Sequence, residues 1–331
     1  MSSQLDYFEG ILYLLLVVGS LLVNIPLIVF LWQNLSSRED VVSTVMVSLT
    51  VSDLLHGTVA PGLGTANAIL TPQRVPYPLI VFQGSARHIL MFSSVWHLAL
   101  MSALKCYIIA RPLTYSAVLT AGRRNALVAA IWTAVVVTIV GADLVGVRWT
   151  VDPLTNLVAP TGNPTMTIGF RNFESGFMIG VPSVVIFVAY AKIFFVVRHH
   201  QVTIASLAVV VSTDAGGRPS ATTGGHAGWS VSVRSARSLF VICIAFYVTY
   251  LPSSITNVGL TLPVWYLVGA RLLLLNGSIL NSLLYILLYK STRKNFRRMF
   301  FGRCSQVAAV ADAGNVPTSV FENRVAVVER F

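Results

Sequence analysis

Apolar residues fill this chain in long blocks, and polar residues interrupt them in short bursts. From Gly10 to Ser37 there is no charge at all. The next block carries one, Asp53, and the third carries Arg87 before it closes on Lys105. A membrane span needs about 20 mostly apolar residues. The pattern predicts spans at about 10–33, 42–69, 79–110, 125–147, 174–198, 236–259 and 265–289. Pro252 and the Leu262–Pro263 pair divide the last uncharged stretch into a span and a turn. The expected fold is therefore an all-α membrane protein, a bundle of seven transmembrane helices.

The segments between spans are short and differ in character. Residues 1–9 are expected as a short outer tail. Residues 199–235, rich in Gly, Ser and Thr beyond 212, read as a flexible third inner loop. The apolar stretch 202–212 within it is compatible with a continuation of the fifth helix. Residues 291–304 place Phe296, Met299 and Phe300 on one helical face and basic residues on the other, a pattern for a helix lying on the membrane surface. Residues 305–331 are expected to be disordered.

Composition sharpens this picture. Of 331 residues, 55% are hydrophobic and 11% charged, well below the charge content of a soluble domain. The net charge of +11 is not spread evenly. With the N-terminus outside, all of the 23 lysines and arginines except Arg74, Arg87, Arg148, Arg171 and Arg271 fall on the cytoplasmic side. That bias sets a multi-pass topology with an outer N-terminus and an inner C-terminus. It also explains the basic balance without a nucleic-acid partner. Three cysteines form no disulfide framework or metal spacing. No nucleophile–base constellation appears, so an enzyme is not expected.

The punctuation inside the spans is more specific. The third span ends MSALKCYIIARPLTY, with Leu98, Met101, Ser102, Pro112, Leu113 and Tyr115 at fixed spacing. Asn24 stands in the first span, Asp53 in LTVSDLL of the second, Trp132 in the fourth, and Pro182 with Tyr190 in the fifth. The sixth reads FYVTYLP, Phe246 to Pro252, and the seventh NSLLYILLY, Asn281 to Tyr289. In order and spacing these residues resemble the rhodopsin-like (class A) G-protein-coupled receptors over about residues 10–304. The chain departs from that family at Leu104-Lys105-Cys106, in place of Asp-Arg-Tyr. It departs again at Tyr250, in place of tryptophan, and at Tyr285-Ile286, in place of Asn-Pro.

The resemblance implies three sites. Arg87, His88, Met91, Phe92, Tyr250 and Arg271 would line an outer ligand cleft. Two arginines in a low-dielectric cleft suit an anionic ligand, unless Arg87 or Arg271 pairs internally with Asp143. A buried carboxylate at Asp53, with Asn24, Ser94, Asn281 and Ser282, would form a polar core. It either holds a sodium ion or keeps Asp53 protonated in a hydrogen-bond network. Leu104, Lys105, Cys106, Tyr190, Phe246, Pro252, Tyr285 and Tyr289 would carry activation and G-protein coupling. The family's disulfide between the third helix and the second outer loop has no cysteines here. Cys304 is a candidate for palmitoylation.

The function this implies is a plasma-membrane receptor. It would pass the binding of a small extracellular ligand to a heterotrimeric G protein through movement of the sixth helix. An odorant-type stimulus and a small endogenous ligand both fit. A non-signalling or decoy protein is the main alternative, because the activation motifs are altered; a transporter is a further one. Membrane lipids are expected partners, and apart from sodium and a palmitoyl group no cofactor is implied.

Overall fold

A computed structural model describes residues 2–34, 42–70, 75–153, 155–214, 223–256, 262–288, 292–293 and 296. The chain forms helices α1 (Ser2–Asn34), α2 (Ser43–Leu70), α3 (Tyr77–Ala110), a single turn α4 (Tyr115–Val118) and α5 (Ala121–Leu144). A hairpin follows, β1 (Arg148–Val151) and β2 (Val158–Thr161). Next, α6 (Pro164–Phe173) runs through a π-helical segment, Glu174–Gly180, into α7 (Val181–Asp214). Helices α8 (Thr223–Ile255) and α9 (Val264–Leu288) complete the bundle.

Among the described residues, six stretches are long and apolar enough to cross a membrane: Tyr7–Gln33, α3, α5, Pro164–His200, Ala236–Ile255 and α9. Helix α2 supplies the seventh. It is less apolar because Ser43, Thr50, Ser52, Asp53 and His56 lie on it, and all of these are buried. It packs between α1, α3 and α9, so its polar residues face protein instead of lipid. Helix α3 is the hub, touching α2, α5, α7 and α8. Apolar side chains such as Leu22, Val137, Phe187 and Phe195 point outward instead. That is the expected surface of a bundle whose solvent is hydrocarbon, where helices satisfy their own backbone.

Helix ends follow local chemistry. The Thr120 hydroxyl accepts from the Arg123 amide at 3.4 Å, opening α5. Asn163 caps α6 by accepting from the Thr165 amide at 2.9 Å, with Pro164 in the first turn.

Three expectations need correction. The outer tail 1–9 is helical from Ser2, and Glu9 in it is buried. The third inner loop is helical over 199–214 and 223–235, because extending a formed helix costs less than starting one. The fifth span begins earlier than 174, since Pro164 starts a helix that the π segment joins without a break. Of the expected surface helix, Thr292, Arg293 and Phe296 are described and helical, and Phe296 packs against the core. Tyr289, Cys304 and residues 305–331 lie outside the described residues.

Candidate functional site

One end of the bundle, the end expected to face outward, is closed by the β1–β2 hairpin. Its antiparallel register pairs Trp149 with Pro160 and Val151 with Val158, and these four side chains are the buried face. Trp149 lies against Gly84 of α3 so closely that a Cβ there would sit 2.4 Å from the indole. Its ring meets His88 at 4.8 Å and Phe170 edge-on at 5.8 Å. Its Nε1 donates to Asp143 Oδ1 at 2.6 Å, and the Ser85 hydroxyl donates to Oδ2 at 2.6 Å. Asp143 is thus engaged by the hairpin and α3, not by the arginines.

The hairpin's tip is tied directly to two helices, α1 and α2. The Tyr13 hydroxyl donates to the Thr155 carbonyl at 2.5 Å. Asn156 Nδ2 donates to Glu9 Oε2 at 3.0 Å. The Asn156 carbonyl accepts from Asn67 at 2.9 Å, and Asn67 also donates to Gln83 at 2.8 Å. Asn156 has φ 50°, a left-handed conformation that asparagine tolerates. The missing disulfide is therefore replaced by packing and hydrogen bonds.

Beneath the hairpin, Arg87, Arg171 and Arg271 converge with His88, Met91, Glu174 and Tyr250 around a cavity of about 20 Å³. Arg87 is buried, and its Nε has no hydrogen-bond partner; the same holds for Arg171 Nε. Arg271 Nη1 lies 3.5 Å from Ser253 Oγ. Glu174, buried at the start of the π segment, interacts electrostatically with all three arginines, and its Oε1 is 3.9 Å from His88 Nε2. His88 Nδ1 donates to the Gly84 carbonyl at 2.7 Å. One carboxylate thus stands against three guanidinium groups. Phe92 is fully buried in the core and does not line this cavity. A volume of about 20 Å³ admits roughly one water, so a ligand enters only if the hairpin or side chains move.

Deeper in the bundle, Ser94 donates to Asp53 Oδ1 at 2.7 Å and Asn281 to Oδ2 at 3.4 Å. Ser94 also pairs with Ser52 at 3.0 Å. Ser282 donates to Asn24 Oδ1 at 2.5 Å, while Asn24 Nδ2 donates to the Ser20 carbonyl at 3.0 Å. His56 Nδ1 is 2.8 Å from Ser278 Oγ. Asn281 Oδ1 and His56 Nε2 are buried without a partner. Cavities of about 20 and 10 Å³ flank Asp53, and Tyr285 walls the larger one. The carboxylate, the Ser94 hydroxyl and the orphaned Asn281 Oδ1 are hard oxygen donors of the kind a sodium ion takes. A second buried network joins α2, α3 and α5. Ser48 Oγ accepts from Trp132 Nε1 at 2.9 Å and sits 2.8 Å from His97 Nε2. His97 Nδ1 donates to the Ser93 carbonyl at 2.6 Å, so Nε2 accepts from Ser48.

At the opposite end of the bundle, Leu104, Lys105 and Cys106 are all buried. Cys106 packs with Ala189, Ile193 and Ala236 of α7 and α8, against the half-buried Tyr190. Ser102 Oγ lies 3.7 Å from Cys243 Sγ. Phe246 stacks on Tyr250 at 5.7 Å, and Pro252 stands two residues beyond Tyr250 in α8. Tyr285 and Ile286 are buried as well. Arg171, Glu174, Trp149, Ser52, His56 and Ser278 had not been singled out in the sequence.

A seven-helix bundle with a polar core, a sixth-span proline and a loop-capped outer cleft defines a receptor architecture. The profile of the 7 transmembrane receptor (rhodopsin family) matches residues 23–289, and the chain belongs to that family. It is accordingly a receptor and not an enzyme. No curated protein matches it. Among solved structures, squid rhodopsin superimposes with a TM-score of 0.78 at 16% identity, covering 96% of this chain and 93% of that one. That likeness shows the shared fold.

Proposed function

We propose that this receptor lies in the plasma membrane with its N-terminus outside, and that it responds to a small anionic ligand in the cleft under the hairpin. The observation that carries this reading is Arg87, buried with an unpartnered Nε and joined by Arg171 and Arg271 against the single carboxylate of Glu174. A ligand carboxylate, phosphate or sulfate would supply the missing acceptors and balance the charge. His88, Met91 and Tyr250 would frame it. The ligand works only by favouring one bundle state over another. The stacked Phe246–Tyr250 pair below Pro252 supports α8 as the moving element. Lys105, Leu104 and Cys106 at the inner end, with Tyr190, Tyr285 and Tyr289, then govern engagement of a heterotrimeric G protein. Asp53, Ser94 and Asn281, supported by Asn24 and Ser282, hold a sodium ion in one of the two states. Cys304 carries a palmitoyl group.

The test is G-protein activation across a Gα panel, with libraries of carboxylates, phosphates and sulfates, at matched surface expression. Arg87→Gln and Arg271→Gln should each weaken an active anion by about 10- to 100-fold, the cost of one charge-assisted contact. An agonist whose potency survives both changes refutes the anion site. Continued silence after Leu104-Lys105-Cys106 is converted to Asp-Arg-Tyr and Tyr285-Ile286 to Asn-Pro favours the non-signalling reading, to which the tightly closed cleft also lends weight.

A further inference from the structure

A roomy cavity lies on the outside of the bundle. Helices α5 and α7 each pack on α3 but barely touch one another. The gap between them is floored by α3, where Ala99 and Ala103 leave it deep. Its upper part holds about 400 Å³ and is almost wholly apolar; Thr138 is the one polar side chain along it. Its lower part holds about 380 Å³. The two parts share Ala103 and Val185, so they form one groove. At the upper end Trp96 and Phe177 close it, ring to ring at 5.9 Å. At the lower end it opens between two exposed cations, Arg111 and Lys192.

Dimensions and charge name the occupant. From Trp96 to Arg111 the groove follows α3 for about 22 Å at 1.5 Å per residue. One leaflet of a bilayer core is about 15 Å thick, so the groove takes a whole acyl chain with room for its glycerol end. The charge at the mouth is unopposed in sequence. No acid occurs between Asp53 and Asp143, and none in α7 before Asp214. We infer that this groove binds an anionic phospholipid of the adjacent leaflet, its acyl chain between α5 and α7 and its headgroup phosphate or carboxylate held by Arg111 and Lys192. The bound lipid would wedge α7 apart from α5 and so bear on the fifth span's position.

The experiment uses the full-length receptor in nanodiscs doped with phosphatidylserine carrying a diazirine midway along one chain, or with the matched phosphatidylcholine. Labelled peptides are read by mass spectrometry. Phosphatidylserine should label the 96–111 and 177–192 segments about 25-fold more than phosphatidylcholine, roughly fivefold for each cation. Arg111→Gln and Lys192→Gln should each remove about fivefold of that preference. Ala134→Phe, on the lipid-exposed wall, should block groove labelling by either lipid without disturbing the core. Equal labelling by the two lipids overturns the inference. So does a preference that survives the double charge variant, labelling spread evenly over the apolar faces, or a co-purified sterol that excludes both probes from the groove.

Discussion

Substituting alanine at Gly84 probes the contact that closes the outer cleft. The new Cβ would lie 2.4 and 2.5 Å from two carbons of the Trp149 ring, where ordinary contact begins near 3.4 Å. The indole is rigid and also packed against His88 and Phe170, so it must retreat by about 1 Å. Overpacking of this kind costs about 1–3 kcal/mol. Against that stands the better helix propensity of alanine, worth up to ~1 kcal/mol over glycine. Gly84→Ala alone should therefore lower the apparent Tm of the purified receptor by up to about 8 °C. Trp149→Ala alone should cost about 3–5 kcal/mol, because a fully packed aromatic is lost. The deciding measurement is Gly84→Ala made in the Trp149→Ala background, in a thermal-shift double-mutant cycle. With the ring gone the clash is gone, and the propensity gain remains, so the sign reverses and the substitution should stabilise. If Gly84→Ala destabilises equally in both backgrounds, the ring does not rest on Gly84 and the account of the lid fails.

Other perturbations address the buried networks. Ser48→Ala strips the acceptor from Trp132 Nε1 and the donor from His97 Nε2; leaving two buried groups unpaired should cost at least ~2 kcal/mol in a thermal or denaturant melt. Tyr13→Phe should loosen the hairpin tip by about 1–3 kcal/mol and raise hydrogen exchange across 152–158, with little change in the inner half of the bundle. Replacing choline chloride with sodium chloride at about ten times the binding constant should stabilise the protein by about 1.4 kcal/mol, and Asp53→Asn should abolish the difference. A sodium response unchanged in that variant would leave Asp53 in a plain hydrogen-bond network.

The spans were legible in the sequence because composition alone sets them, and the order of Asn24, Asp53, Trp132, Pro252 and Asn281 carried the family. What escaped was contact made across the fold. Glu174 reads as the polar edge of a span. It is buried because α6 begins ten residues earlier and the π segment turns that carboxylate inward. Trp149 sits in an alternating stretch of only four residues, too short to separate from loop, and its partner is a glycine 65 positions back whose role is to be small. Asp143 was weighed as a partner for the arginines because all three are ionisable and near the outer end. The structure gives it to a serine and an indole instead. The resemblance implies Phe92 in the cleft, but a helix at the hub of a bundle is buried on nearly every side, so a family likeness does not choose the lining face.

The ties of the hairpin have a consequence for how the receptor is made. A cystine bridge needs an oxidant to form and an isomerase to correct it, and its survival depends on the thiol–disulfide poise of its surroundings. Here the outer loops hold no cysteine, and the lid is fastened by Trp149 on Gly84 and by hydrogen bonds from Tyr13, Asn67 and Asn156. Its assembly is thus a matter of chain folding alone. Reductant leaves it in place, and it can be produced in a reducing compartment with the hairpin lid intact.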